Sequence, residues 1–510
     1  MKRTGWFVLA LTLLPVGVAG QQSGIEEAAR TITEADFGWR VGVIAHDSMQ
    51  GRNTPSPGLN RTADWIASEF SRLGLRGGAD DGAFIQRYPL NSVVVDTGRS
   101  TVSVAGVRLT FGPDVLPLFG TPTDGEAGAD LVLVSGQGTL SRGAQSAING
   151  KHVAVLVSAE QASQNRQLFQ IVGGLRGAGA ASVLVTSPLS DEQWAGNARR
   201  ALQPSVSKGW LTEGGGEEVF VPILQIRTSA LESMLQGRGI DLAALQDRSR
   251  EDLQVHDTGG LRTTVVLRTR SESMTAPNVV AILDGSDPEL ANEYVVFSGH
   301  MDHVGMGAPD ANGDSIFNGA DDDASGTVAV MEVAEAMAAL PTAPRRSMMF
   351  LLVSGEEKGL WGSEWFAENP TVPIESLTAN LNTDMVGRNW ADTIVVIGKE
   401  HSDLGESMNR VNSDHPELRM TAIDDLWPEE RFYFRSDHYN FAKKGVPILF
   451  FFNGTHDDYH GRDDEPDRID AEKAARIAKL VFYLGMEIGN ADERPKWNPE
   501  SYARIVSEQW

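Results

Sequence analysis

Ser347-Met-Met-Phe-Leu-Leu-Val-Ser354 runs directly into Gly355-Glu-Glu-Lys-Gly359. The first stretch has the apolar pattern of a strand, and helical spacing follows over Gly359–Glu368. The same alternation extends to both sides. It predicts strands at Glu293–Ser298, Leu377–Asp384, Ile394–Ile397 and Pro447–Phe452, and helices at Ser325–Leu340 and Ala471–Gly489. Strands alternating with helices predict an α/β fold on a doubly wound, mostly parallel sheet. In such sheets the ligand site lies beyond the carboxyl ends of the strands.

Those ends carry chemistry-bearing residues. The first strand leads into Ser298-Gly-His-Met-Asp-His303, and Asn318-Gly-Ala-Asp-Asp-Asp-Ala-Ser-Gly326 precedes the next helix. The 347–354 strand ends at Glu356 and Glu357, and the next at Asn382-Thr-Asp-Met-Val-Gly387. Asp458-Tyr-His-Gly-Arg-Asp-Asp464 stands near the C-terminus. Each piece alone has an ordinary reading: a satisfied polar histidine, a solvated turn, a surface Glu-Glu pair. Together they bring imidazole and carboxylate to one rim of one sheet, which is what a dinuclear zinc site needs. Such sites hold metals about 3.5–4 Å apart, bridged by a carboxylate and a water. Adjacent side chains diverge, so one of Glu356 and Glu357 can ligate while the other leans over the water.

This set resembles the co-catalytic zinc peptidases that include secreted bacterial aminopeptidases and glutamate carboxypeptidase. The resemblance covers roughly residues 30–90 and 275–490. It is carried by Gly319-Ala-Asp-Asp-Asp-Ala-Ser-Gly326, by Gly355-Glu-Glu-Lys-Gly-Leu-Trp-Gly-Ser363 and by Met49-Gln-Gly-Arg-Asn-Thr-Pro-Ser-Pro-Gly58. It implies the zinc exopeptidase fold and two Zn²⁺ per chain. His300 matches a terminal ligand of one metal and Asp302 the carboxylate that orients it. Asp322 matches the bridging carboxylate, with a cis peptide expected between Asp322 and Asp323. Glu356 matches the general base, Glu357 a ligand of one metal, Asp384 a ligand of the other, and His460 the last terminal ligand. Asp323, Asp437, His438 and Tyr459 are expected around these ligands or in the substrate pocket. Trp427, Phe432 and Tyr433 are candidate pocket walls. His303 and His456 flank true candidates, and His456 is read as a loop residue lining the site. Arg462 either touches the substrate or pairs with Asp463.

The implied activity is aminopeptidase action on peptide substrates, by a metal-bridged water activated by Glu356. No arginine patch of the kind that fixes acidic substrates in glutamate carboxypeptidases is identifiable, which favours that reading. Two alternatives stay open: a carboxypeptidase of the glutamate carboxypeptidase type, and a non-catalytic binding protein on the same fold.

Composition narrows the classes further. The 510 residues hold 44 Lys+Arg against 69 Asp+Glu, a formal charge of -25. That disfavours nucleic acid and anionic membrane as partners. The absence of cysteine excludes thiol chemistry, disulfides and cysteine-held metal, so any metal must be held by His, Asp and Glu. Lys2, Arg3, the apolar Trp6–Leu14 and the small residues Val18-Ala-Gly20 read as a signal peptide over 1–20, hence a secreted or periplasmic protein. No other stretch of about 18 apolar residues follows, so no stable membrane anchor is expected. The catalytic domain is expected over 25–115 and 265–492. Residues 118–255 are expected to form an inserted β-rich module, which resembles a protease-associated domain and whose protein partner the sequence does not name. Residues 493–510 are expected to be a C-terminal tail.

Overall fold

The computed structural model describes residues 16–118, 123–136, 138–158, 165–210, 220–245 and 252–507. Most of the signal peptide expected over 1–20 lies outside the described residues. Among those described, no helix is long and apolar enough to cross a membrane. The chain divides into two compact units, Met1–Tyr88 with Thr275–Trp510, and Pro89–Met274.

The first unit is built on a mixed sheet. Its strands run in the order Thr421–Ile423, Thr393–Ile397, Ile448–Phe452, Leu377–Asp384, Tyr294–His300, Ser347–Val353, then Thr269–Leu283 and Ile85–Val95. Its centre is parallel: Tyr294–His300 pairs in parallel with both Ser347–Val353 and Leu377–Asp384, and the latter with Ile448–Phe452. Thr269–Leu283 and Thr393–Ile397 turn the pairing antiparallel on either side. The expected strands and helices are all present, within a few residues at their ends.

Alternate residues of each central strand feed two different cores. Val295, Phe297, Met348, Phe350 and Leu352 meet helices Glu34–Ile44, Pro57–Arg72, Gly326–Ala338 and Ala471–Asn490 on one face. Val296, Met349, Leu351 and Val353 meet Trp361–Glu368 and His438–Ala442 on the other. A sheet buried on both faces reads as continuous hydrophobic runs, which is why Ser347–Val353 shows no alternation. Ser56 caps Pro57–Arg72 by accepting from Leu59 N–H at 3.1 Å, with proline as the first helical residue.

The second unit holds an eight-stranded sheet in which Gly125–Ser135, His152–Val155, Ser182–Ser187 and Ile223–Arg227 run parallel as neighbours. Helices such as Asp191–Ala201 and Thr228–Leu235 accompany it, so it carries more helix than the β-rich texture suggested. Its limits also differ from the expected 118–255. Thr101–Val104, Val107–Leu109 and Val115–Pro117 pair within its sheet, so 89–115 belongs here and not with the first unit. The expected tail is not loose either. Trp497 donates its indole N–H to the Gly445 carbonyl at 2.8 Å, and Ile505 is buried in the core with Phe441 and Val446.

Phe350 stacks on Phe297 at a centroid distance of 5.5 Å and meets Phe70 at 6.1 Å. Replacing it with alanine empties the centre of the larger core. Phe350→Ala is expected to cost about 3–5 kcal/mol of unfolding free energy, read from urea unfolding followed by tryptophan fluorescence.

Candidate metal centre

Parallel pairing sets the rim. His300 lies opposite Val353 in the ladder, so the turn after Val353 emerges beside it. On the other side the neighbouring strand ends at Asp384, opposite Phe452. Glycines Gly355 and Gly359, with φ of 75° and 98°, bracket the turn that presents Glu356 and Glu357. A Cβ at Gly355 would lie 2.7 Å from the Tyr88 hydroxyl, so the backbone can approach there only without a side chain. The Asp322–Asp323 peptide is cis, as expected.

All five expected ligands converge. His300 Nε2 lies 3.4 Å from Asp322 Oδ1 and 3.6 Å from Asp384 Oδ1. His460 Nε2 lies 3.0 Å from Asp322 Oδ2 and 3.2 Å from Glu357 Oε2. The two oxygens of Asp322 thus face two separate groups. Asp323 sits near His300 and Asp384 as well. Its oxygens, however, accept the backbone N–H groups of His300, Gly326 and Met385 at 3.1, 2.9 and 3.1 Å. Asp323 therefore holds the loops, and Asp322 is the carboxylate that faces His300.

These donors fit a pair of cations. Zinc held by N and O at 2.0–2.2 Å in a tetrahedron separates its donor atoms by about 3.4 Å. The measured separations lie around that value. Among the described residues, Asp322 Oδ2, Glu357 Oε1 and Asp384 Oδ1 are buried without a partner in hydrogen-bond geometry, a costly state for carboxylate oxygens unless a cation is bound. With His and carboxylate as the only donors, the set suits zinc.

The electrostatics point the same way. Burial raises the Glu356 carboxyl well above the usual range; Asp437, Asp384 and Glu357 add to this and His300 opposes it. Burial also acts to raise Asp322, yet His300, His303 and His460 hold it below the usual range. Burial pulls His460 down, but Asp322 and Glu357 outweigh it and lift the imidazole to about 10.

The Asp302 carboxylate faces His300 Nδ1 at 3.7 Å, and the backbone carbonyl of the same residue accepts from that nitrogen at 3.2 Å. The carboxylate also accepts from the Thr54 hydroxyl at 2.8 Å and from Glu356 N–H at 3.3 Å. Several other neighbours depart from expectation. Asp437 is fully buried, and burial raises it to about 7 against the pull of His300. His438 stacks on Phe450, donates Nε2–H to the Tyr433 carbonyl at 2.8 Å, and is lowered by burial to about 3, so it is a neutral packing residue. Tyr459 lines the cavity and stacks on His460 at 3.9 Å. His456 faces Asp321 Oδ2 at 3.3 Å instead of the cavity. Arg462 lies over the Phe317 ring at 4.6 Å, and Asp463 pairs with Arg468. Phe432 lines the cavity with Phe450, Phe452, Met385 and Arg435, while Trp427 backs Phe432 at 5.8 Å and Tyr433 is buried against His401.

Three contributors escaped the sequence reading. Asp464 accepts from Asp321 N–H at 2.9 Å and from Asp322 N–H at 3.1 Å, fixing the backbone behind the Asp322 carboxylate. His303 turns inward and joins Asp322 and Glu357. Arg52 is fully buried and donates to the carbonyls of Met301, Ile44, Asn318 and Gly319 at 2.6–3.0 Å. The segment Met49–Gly58 had drawn attention to that stretch without indicating what its arginine binds.

In comparison with known proteins, residues 278–485 match the family model of peptidase family M28. A probable zinc metalloprotease of Pyricularia oryzae is 29% identical over 260 residues, 42% of this chain and 50% of that protein. Leucine aminopeptidase 1 of Trichoderma harzianum is 27% identical over 250 residues, 46% of this chain and 59% of that protein. The chain thus spans about half the length of the curated relatives it matches. The aminopeptidase from Aneurinibacillus sp. strain AM-1 shares the fold, with a TM-score of 0.52 at 18% identity over 92% of this chain and 97% of that one.

Arg52→Met keeps the bulk and strands the carbonyls of Met301, Ile44 and Asn318, each worth about 1–3 kcal/mol when left unpaired, while Gly319 keeps the Ala324 N–H at 3.2 Å. The variant is expected to lose at least about 3 kcal/mol in chemical denaturation.

Proposed function

We propose that this chain is a secreted zinc aminopeptidase that binds two Zn²⁺ and removes N-terminal residues from peptides. One observation carries the reading: Asp322 offers one oxygen to His300 and the other to His460. In this reading His300, Asp322 and Asp384 hold one metal, and Asp322, Glu357 and His460 the other. The names of the Pyricularia and Trichoderma relatives support zinc and the attack on N-terminal residues. The basic and apolar N-terminal residues 2–14 support secretion, and the unit Pro89–Met274 is read as a protease-associated domain.

When bound, a zinc pair supplies Lewis acidity for the scissile carbonyl and the attacking water. Glu356, in the wall of the same cavity as His300, Asp322 and Asp384, takes the proton of that water and passes it to the leaving amine. Its burial raises its affinity for the proton it must carry. The acidic rim favours the substrate's free ammonium. Phe432, Phe450, Phe452 and Met385 give the side chain of the first residue an apolar wall. One feature favours the carboxypeptidase reading: Arg435 lines the cavity, although it also reaches Glu430 at 3.4 Å. The non-catalytic reading is disfavoured, because every expected ligand and the base are present together.

Glu356→Gln is expected to keep its zinc content and to lower kcat by about 10²–10⁴-fold, measured by metal analysis beside steady-state kinetics. Retained turnover would remove Glu356 from its role. A panel of aminoacyl p-nitroanilides beside N-blocked dipeptides should show cleavage of the first set only, abolished by chelator and restored by zinc.

A further inference from the structure

His303 is fully buried, and among the described residues neither of its ring nitrogens meets a partner in hydrogen-bond geometry. An imidazole in that state loses its hydration without a compensating bond. Yet the ring is aimed at other donors. Nδ1 lies 3.0 Å from Glu357 Oε1 and 3.6 Å from Asp322 Oδ2, and both oxygens also lack a hydrogen-bond partner. Three atoms so close, none bonded to another with hydrogen-bond geometry, point at a common centre. His460 Nε2 approaches the same two carboxylates at 3.0 and 3.2 Å. The two imidazoles stand edge to face, with centroids 5.6 Å apart. With Glu357 Oε1 as the glutamate donor, three of these separations, 3.0, 3.0 and 3.6 Å, bracket the edge of about 3.4 Å of a tetrahedral zinc site, and His460 reaches the other glutamate oxygen at 3.2 Å.

We infer that His303 Nδ1 is a fourth protein ligand of the metal held by Asp322, Glu357 and His460. The inference rests on the two-metal reading above. The ring has little freedom to do otherwise. It packs on the backbone of the loop that delivers Asp322, where a Cβ at Gly319 would lie 2.5 Å from its Cγ and Cδ2. The two positions then differ in kind. The set of His300, Asp322 and Asp384 supplies three protein donors and leaves a coordination place free. The set at His303 supplies two imidazoles and two carboxylates, the donor count of a metal that is retained.

The test is zinc titration of the purified full chain against a chromophoric chelator, with cobalt(II) spectra of the same samples. Wild type is expected to bind two zinc ions, one of which resists chelation. His303→Ala and His303→Gln should keep one site intact. At the other they should lose more than the 10–100-fold in affinity that removal of an outer partner of a ligand costs. The cobalt(II) visible absorption should change with the lost imidazole, a signature that a merely structural role would not move. Far-UV circular dichroism checks folding, and the glutamine variant serves if alanine disturbs it. His456→Ala, whose ring faces Asp321, should retain both ions. Two zinc ions bound with unchanged affinity and unchanged cobalt spectra in the His303 variants would overturn the inference and leave the two-metal reading standing. Fewer than two ions on wild type would overturn both.

Discussion

One guanidinium, that of Arg52, gathers carbonyls from the loop after His300, from the loop before Asp322 and from the end of helix Glu34–Ile44. These partners are far apart in sequence, and in the unfolded chain nothing holds them together. Burial works against the charge, while Asp322, Asp464, Asp302 and Asp323 work for it. A buried cation tolerated by surrounding acid is also a scaffold for that acid. Carboxylates crowded at one rim would repel one another, and a fixed positive charge beneath them lowers that cost before any metal arrives.

Three consecutive aspartates divide the labour by where their oxygens point. Asp321 accepts from Ser325 and from Gly387 N–H, tying its loop to the residues after Asp384. Asp322 turns both oxygens toward imidazoles. Asp323 turns back onto backbone amides. Composition cannot separate these fates, since a run of like residues looks uniform until the backbone rotates each side chain into a different neighbourhood.

The sheet was legible because apolar runs and helical spacing are local. Ser347–Val353 announces itself without help from the rest of the chain. Strand ends in such a sheet converge, so chemistry-bearing residues were expected at one rim, but which of them ligate came only from the resemblance that singled out His300, Glu357 and Asp384. His303 was not singled out, since a residue three past a strand end can face either way, and only the fold of the loop decides. The limits of the second unit were missed for a related reason. Ile85–Val95 and Thr269–Leu283 run unbroken across the boundary, leaving no Gly/Pro-rich linker to mark it. The Asp302 carboxylate stands beside His300 as expected, while the carbonyl of the same residue, which accepts from the same nitrogen, is invisible to a reading of side chains.

Asp323 grips its neighbours through N–H groups, which any residue except proline supplies. The frame around the imidazole and carboxylate cluster is therefore held through backbone at 300 and 385, while position 326 must stay glycine, since a Cβ there would collide with the Asp323 carboxylate and the Thr383 carbonyl. Ligands can be exchanged, added or lost without the frame having to be rebuilt. Such a scaffold is easy to retune: the metal preference and reactivity of the rim can drift over evolutionary time while the architecture beneath it stays put.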